Sequence, residues 1–238
     1  MDRKYMKQET IVITGAGQRI GLALAKHFTE QQIPVVVSYR TERVTIRSLR
    51  NSGVTCIQAD FTTNTGITAF SEAVIELNLN IRGLIHNASD WKSESQTDDQ
   101  ASLLDKMMQV HAKAPYILNH ALEPYMLSNS DIIHFTDYVV KKGSPRHIAY
   151  AASKAALDNL TLSFAQKFAP KLKVNSIAPA LIMLNNHDRN EHKKKVLSKS
   201  LLGISPGVFE VINAVQFILN SRYMTGQSIN LDGGRALK

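Results

Sequence analysis

The sequence predicts an α/β fold: one doubly wound parallel sheet flanked by helices on both faces. Two patterns predict it. Short runs of β-branched residues alternate with segments of helical period along the chain. A glycine-rich turn also stands where the first such run gives way to the first helical segment. Alternation of this kind builds βαβ units, and their strands pair in parallel because each connection crosses back over the sheet.

The strand-like runs fall at 10–13, 34–38, 54–58, 83–86, 132–135, 173–177 and 227–230. Between the first two, Ile20, Leu24 and Phe28 recur four apart, as residues on one face of a helix do. A further helix is expected over 102–127, bent near Pro115, whose ring removes a backbone donor and crowds the preceding turn. The segment from Ile148 is rich in helix formers and is expected to continue to Phe168 and stop before Pro170. After Pro206, the residues Val208, Val211, Ile212, Val215 and Leu219 make the apolar face of another helix. The stretch 181–203 is polar, contains Asn185-Asn186-His187-Asp188, and reads as an excursion from the sheet edge of the kind that covers a site. No repeat, low-complexity stretch or linker is visible, so one domain is expected over 1–238.

With 238 residues, 44% hydrophobic and 20% charged, the chain has the composition of a soluble globular protein. No apolar run approaches the ~20 residues a membrane span needs. The first ten residues are polar and lack the apolar stretch of a signal peptide. The lone cysteine, Cys56, has no internal partner and is expected to be a small buried filler; a cytoplasmic location fits. The net charge of +8 suits an anionic ligand. Arg40, Arg43, Arg47 and Arg50 form one basic cluster and Lys193-Lys194-Lys195 another. Neither is interleaved with the aromatics that a single-strand binder needs, so no nucleic-acid partner is expected and both clusters read as solvated helix faces. No His/Cys/Asp/Glu grouping has metal-ligand spacing, so no metal is expected.

The turn after the first strand runs Thr14-Gly15-Ala16-Gly17-Gln18-Arg19-Ile20-Gly21. Glycines let the backbone approach a phosphate closely, and the helix that follows presents unpaired N–H groups and a positive dipole end. The second strand ends Val37-Ser38-Tyr39-Arg40, with no acidic residue before Glu42 to hold a free ribose 2′-hydroxyl. Ser38, Arg40 and Arg19 offer hydroxyl and guanidinium groups instead, which suit a 2′-phosphate. NADP(H) is therefore expected over NAD(H), unless Arg40 merely begins a basic helix face. Further on, Tyr150 and Lys154 lie four apart, one helical turn from phenol to ammonium. A nearby positive charge favours the phenolate, so Lys154 is expected to lower the Tyr150 pKa and make proton donation usable at neutral pH.

Three landmarks thus occur in order: the Thr14–Gly21 turn, Asn87-Ala88 after the fourth strand, and Tyr150-x-x-x-Lys154. Together they resemble the short-chain dehydrogenase/reductase family, with its Rossmann-like fold, across nearly the whole chain. Asp60-Phe61 resembles that family's adenine-contacting pair, Asn175-Ser176-Ile177-Ala178-Pro179 its Asn-x-x-x-Pro segment beside the nicotinamide, and Thr225-Gly226 with Asp232-Gly233-Gly234 its C-terminal signature. The resemblance implies a cofactor site of Gly15, Arg19, Ile20, Ser38, Tyr39, Arg40, Asp60, Phe61, Asn87, Ala88, Tyr150, Lys154 and Pro179. It also implies a homotetramer built partly on the Tyr150 helix and its neighbour.

The departures from the family pattern narrow the substrate. Arg19 stands where the family usually has glycine, Asp137 where it usually has a serine, and His111 where it often has asparagine. Arg19 and Asp137 are similar to the pteridine reductases of the family, and Trp91 matches the place where those enzymes stack an aromatic on the pterin. A bacterial branch is closer still, on the runs Ser38–Thr41, Gln58–Phe61, His86–Ser89, Asp131–Val140 and Ala149–Asn159. A carboxylate at Asp137 would repel a developing alkoxide but accepts from the ring nitrogens and amine of a pterin. The implied reaction is hydride transfer from NADPH to a 7,8-dihydropterin, dihydromonapterin first and dihydrofolate weakly. Tyr150, Lys154 and Asp137 are then catalytic, and Ser89, Trp91, Asp137 and Tyr150 contact substrate. Tyr150 and Asp137 both remain open as the source of the proton for N5. Asp137 also suits capping of the turn after it, Trp91 plain packing, and His86 and His111 hydrogen-bonded structural roles. A carbonyl or 3-oxoacyl reductase and a cofactor-bound regulatory protein without catalysis are the alternative readings.

Overall fold

The computed structural model describes residues 9–184 and 189–238. Seven strands form one sheet: β1 (Glu9–Ile13), β2 (Val35–Tyr39), β3 (Thr55–Gln58), β4 (Asn80–His86), β5 (Met126–Phe135), β6 (Leu172–Pro179) and β7 (Ser228–Leu231). All neighbours pair in parallel, in the order β3-β2-β1-β4-β5-β6-β7. The chain winds outward from β1 to β3, then returns to place β4 on the other side of β1. That reversal leaves a crevice at the carboxyl ends of β1 and β4, where a doubly wound sheet binds ligands.

Both sheet faces are covered, which is why the strands read as continuous apolar runs. Ile11, Ile13, Val35, Val37, Ile85, Ile133 and Ile177 pack on α1 (Arg19–Glu30), α2 (Val44–Asn51) and α9 (Val208–Asn220). Their strand neighbours Val12, Val36, Leu84, Ile132 and Val174 point the other way, onto α3 (Asn64–Glu76), α5 (Ala114–Leu122) and α7 (Ile148–Phe168). The period of two is intact and only its usual apolar-to-polar contrast is missing.

Three expectations are corrected. The helix expected over 102–127 is two helices, α4 (Gln100–Met108) and α5, joined by a π-helical turn, Gln109–Lys113. Pro115 lies in the first turn of α5, where its missing N–H costs nothing, and the wide turn ahead of it absorbs the bend. The helix ends at Leu122 because Pro124 cannot extend it, and Met126 pairs with Ile81 in the sheet. The excursion at 181–203 is not all loop. It holds α8 (Asn190–Leu197), which carries the lysine run and buries no residue. Asn185 to Asp188 lie outside the described residues. Cys56 is half-buried, its Sγ 3.5 Å from the Val54 carbonyl oxygen.

Two polar groups are built into the interior. Near the amino ends of the strands, fully buried Asp131 is bonded by Arg82 at 2.5 Å and by Lys173, and Arg82 also donates to the Leu219 carbonyl at 2.6 Å. Behind the crevice runs a buried chain: His86 Nε2 to Asn119 Oδ1 at 2.7 Å, Asn119 Nδ2 to His134 Nε2 at 3.1 Å, and His134 Nδ1 to Thr161 Oγ1 at 2.9 Å. The Thr161 hydroxyl donates to the Leu157 carbonyl at 3.2 Å. The donors therefore fix His134 with its proton on Nδ1 and His86 with its proton on Nε2. Burial holds His86 down at about 4 and His134 well below its ordinary value, so both are neutral.

Candidate active site

The glycine turn leaves β1 along the floor of the crevice. Gly15 has φ +70°, and a Cβ there would lie 2.6 Å from the Ala88 Cα. Only glycine permits that approach. Thr14 Oγ1 accepts from the backbone N–H groups of Asn87 and Ala88 at 3.0 Å each, and the Asn87 amide donates to the carbonyls of Thr14 at 3.1 Å and Gly15 at 2.8 Å. Asn87 thus staples the ends of β1 and β4 together. Gln18 heads α1 without a side-chain cap, so the first-turn N–H groups are not claimed by its side chain. Arg19 takes a left-handed conformation at φ +53° and donates to the Met183 carbonyl at 3.2 Å, tying the turn to the 181–203 segment.

Gly15, Arg19, Ile20, Ser38, Tyr39, Arg40, Asp60, Phe61, Asn87, Ala88 and Ser89 line one cleft. Their individual roles differ from a simple contact set. Ser38 is buried and its Oγ accepts from the Gly15 N–H at 2.9 Å, so it shapes the turn as well as the cleft. The Tyr39 hydroxyl accepts from Arg50 at 2.6 Å, and Arg50 also grips Glu42 at 2.8 Å, so the phenol hydroxyl is already engaged. Asp60 Oδ1 accepts from the Thr62 N–H at 3.0 Å and its hydroxyl at 2.8 Å, while Phe61 packs edge-on against Phe70 at 5.5 Å. Arg40 is exposed at the mouth and donates to Asp90 at 3.3 Å.

Arg43 and Thr41 also line the cleft. Sequence reasoning missed Arg43, having assigned it to a solvated face. Its position immediately ahead of α2, beside Gly17, was the available signal. The cradle at Gly15, the first turn of α1 and the three guanidinium groups of Arg19, Arg40 and Arg43 fit a dinucleotide bearing a 2′-phosphate.

The second half of the crevice is the carboxyl end of β5 and the start of α7, with the short helix α6 (Val139–Lys142) between them in the chain. The Tyr150 hydroxyl donates to Asp137 Oδ2 at 2.8 Å, and Asp137 Oδ1 accepts from the Val139 N–H at 3.0 Å. Asp137 is therefore both a turn cap and a partner of the phenol, one oxygen for each. Lys154 is buried, donates to the Phe135 carbonyl at 2.7 Å, and stands 5.8 Å from the centre of the Tyr150 ring.

The expected lowering of the Tyr150 pKa is not what this geometry gives. Burial pushes the phenol well above its ordinary value, and the Asp137 charge and hydrogen bond push it further, while a hydrogen bond to Ser89 draws it partly back. Burial also raises Asp137, against the Val139 N–H, Tyr150, Lys154 and Arg235. Lys154 is lowered to about 8 by burial, with Asp137 pulling the other way. The arrangement holds a proton on Tyr150 rather than releasing it.

His111 sits in the π-helical turn and packs edge-on against Tyr150 at 5.3 Å. Its Nε2 accepts from the Asp90 N–H at 3.1 Å, so the ring proton is on Nδ1, 2.8 Å from Ser153 Oγ. Ser153 in turn donates to the Tyr150 carbonyl at 2.8 Å. Ser89 Oγ lies 2.8 Å from the same Nε2. Burial drives His111 well below its ordinary value, Lys154 adding to it. A neutral ring thus bolts the Ser89-Asp90 loop to the Tyr150 helix.

Trp91 does not lie over the cleft. It is 61% exposed and stacked on His147, with ring centres 4.2 Å apart. Glu94, which sequence reasoning missed, accepts from the Ala149 N–H at 2.9 Å and so caps α7 from a distant loop. Pro179 ends β6 on the same sheet edge, where its carbonyl accepts from the Tyr138 N–H at 3.2 Å. Asn175 is fully buried and bonds the Met224 carbonyl at 2.8 Å and the Gln227 N–H at 3.0 Å, joining β6 to the approach to β7. Among the described residues no grouping of His, Cys, Asp and Glu could hold a metal ion.

Comparison with known proteins agrees with this geometry. A family model described as enoyl-(acyl carrier protein) reductase matches residues 15–236. Dihydromonapterin reductases from Escherichia coli K12 and Shigella flexneri are each 54% identical over 232 residues, spanning 96% of this chain and 97% of theirs. Among solved structures, FolM alternative dihydrofolate reductase 1 from Brucella canis, complexed with NADP, superposes with a TM-score of 0.86 at 26% identity, covering 100% of this chain and 97% of that one. Its Brucella suis counterpart, also with NADP, gives 0.86 at 27% identity over 97% and 96%. By the extent of the family match and the relatives it shares, the chain belongs to the short-chain dehydrogenase/reductase family.

Proposed function

We propose that this chain is an NADPH-dependent dihydropterin reductase, with 7,8-dihydromonapterin as its substrate and weaker activity on dihydrofolate. The observation that carries the reading is the 2.8 Å hydrogen bond from Tyr150 to Asp137 at the carboxyl edge of the sheet. A buried carboxylate there is unsuited to a developing alkoxide and suited to the N–H groups of a pterin. The names of the 54% identical relatives and of the NADP-bound neighbours support it.

When bound, NADPH supplies a hydride to C6 of the N5=C6 imine. Gly15, Ile20 and the first turn of α1 would hold its phosphates, Arg19, Arg40 and Arg43 its 2′-phosphate, and Asp60 and Phe61 its adenine. Lys154 and Tyr150 would hold its nicotinamide ribose. Reduction places two electrons and one hydrogen on C6 and negative charge on N5, which then takes a proton. Tyr150 holds that proton and Asp137 keeps the phenol in line. The raised phenol pKa retains the proton until N5 becomes the stronger base. Lys154 then offsets the charge left on the phenolate. Ser89, which lines the cleft, would form the pterin-facing wall.

We also assign the chain to the cytoplasm, as one catalytic domain in a homotetramer. No helix among the described residues is long and apolar enough to cross a membrane. Leu104, Met108 and Tyr116 near α4 and α5, and Leu162 on α7, are exposed and give a second copy an apolar surface to cover.

Purified protein mixed with NADPH and dihydromonapterin, dihydrofolate or a 3-oxoacyl thioester, and followed by nicotinamide absorbance, tests the assignment. Consumption with the dihydropterins supports it. Consumption with the thioester alone overturns it in favour of carbonyl chemistry.

A further inference from the structure

Asp90 stands between the two ends of the crevice. Its Oδ2 accepts from Arg40 at 3.3 Å and from Lys106 at 2.8 Å. Its Oδ1 accepts from the Trp91 N–H at 2.9 Å, and its own N–H donates to His111 Nε2 at 3.1 Å. Although burial opposes the charge, Lys106, the Trp91 N–H and Arg40 together hold the carboxyl below its ordinary value, so it is ionised at neutral pH. One carboxylate therefore touches the guanidinium at the adenosine end and the tryptophan beside the reacting end. A guanidinium shared between a carboxylate and a doubly charged phosphate favours the phosphate, which it can grip with two N–H groups. Asp90 then still has Lys106.

We propose that Asp90 is a positioning residue that couples the 2′-phosphate end of the cleft to Trp91. A 2′-phosphate draws Arg40 away, Asp90 settles on Lys106 alone, and the Trp91 backbone that Asp90 holds moves with it. The inference rests on the placement of the 2′-phosphate at Arg40 given above. Coupling of this kind is reciprocal. Asp90 must therefore oppose phosphate binding to the extent that its pairing with Arg40 is lost. For an exposed pair of this kind the effect is roughly two- to fivefold in affinity.

Trp91 is the only tryptophan in the chain and stacks on His147, so its emission reports this movement without turnover. The experiment titrates the full chain with 2′,5′-ADP and with 5′-ADP and records Trp91 fluorescence and binding affinity, for wild type, Asp90→Asn and Arg40→Ser. Wild type is expected to prefer 2′,5′-ADP and to change its emission only with that ligand. Asp90→Asn is expected to bind 2′,5′-ADP roughly two- to fivefold more tightly and to lose the emission change. Arg40→Ser should narrow the preference, which Arg19 and Arg43 still support, and lose the emission change. If wild type prefers 2′,5′-ADP but Asp90→Asn matches it in affinity and emission, the coupling is wrong and the cofactor reading stands. If wild type binds both nucleotides equally, the cofactor reading fails and takes the coupling with it. A merely structural Asp90 would weaken both nucleotides alike and also overturns the proposal.

Discussion

The Tyr150 hydroxyl donates to Asp137 rather than facing an uncompensated cation, and Lys154 is occupied with the Phe135 carbonyl. The phenol is therefore a guarded proton donor. Replacing Tyr150 with Phe removes the proton and leaves the ring. Turnover should fall by roughly 10²–10⁴, with NADPH affinity, measured by titration, nearly unchanged. A variant that keeps a tenth of wild-type turnover would take the proton donation away from Tyr150.

Asp137→Ser tests the other partner. The charge of Asp137 raises the Tyr150 pKa, so its removal must lower that pKa, though burial keeps it elevated. The alkaline limb of the kcat–pH profile should move to lower pH, and dihydropterin turnover should fall by at least about tenfold. An unmoved limb would mean that the limb does not report Tyr150, and undiminished turnover would remove the case for a pterin based on the carboxylate.

At the adenosine end, Arg40 and Arg43 line the cleft; Asp90 accepts from Arg40 at 3.3 Å, and Glu42 is engaged by Arg50. Arg40→Asp should raise the KM for NADPH and lower that for NADH, narrowing the preference by roughly one to two orders of magnitude, since a charged hydrogen bond contributes about 1.5–3 kcal/mol. Steady-state kinetics with both cofactors decides it. Equal changes for the two would place Arg40 outside phosphate recognition.

Gly15→Ala would put a methyl group 2.6 Å from the Ala88 Cα at φ +70°. Backbone strain of about 1–3 kcal/mol is expected, together with weaker NADPH binding as the turn is forced off Asn87. A calorimetric scan and a cofactor titration measure the two effects. An alanine variant with wild-type Tm and affinity would show the turn to be more yielding than its contacts suggest.

His86 gives the chain an acid limit. Its folded pKa of about 4 lies below the ordinary 6.5, so between those values the unfolded chain binds a proton that the folded chain refuses. Stability is therefore complete above pH 6.5 and falls as pH drops toward 4. His86 contributes roughly 3 kcal/mol to that loss, and the neutral, buried His134 adds to it. Denaturant midpoints measured from pH 8 to pH 4.5 should show the decline, and a His86→Gln variant should flatten it. An unaltered slope in the variant would assign the acid sensitivity elsewhere.

The strand runs were legible because parallel strands buried on both faces must be apolar throughout, as Val35, Val36 and Val37 are. The Gly15 turn and the Tyr150–Lys154 spacing were legible because local geometry sets both. What failed to show was whatever depends on distant partners. Nothing near Tyr150 reveals that burial, with Asp137 adding to it, would raise its pKa, or that Glu94 would cap its helix from a segment fifty-five residues away. Arg40 and Arg50 look alike in sequence, yet one lines the cleft and the other is spent on Tyr39 and Glu42. The split of one expected helix at Gln109–Lys113 is a widening of a single turn that leaves no mark in composition, and it is that turn which presents His111.

The Arg82–Asp131–Lys173 cluster lies toward the amino ends of the strands, whereas every proposed reacting group lies at their carboxyl ends. Rigidity and reactivity thus occupy opposite rims of the same sheet. A protein engineer could replace that charged trio with well-packed aliphatic residues to seek greater heat tolerance, and leave the machinery of reduction untouched.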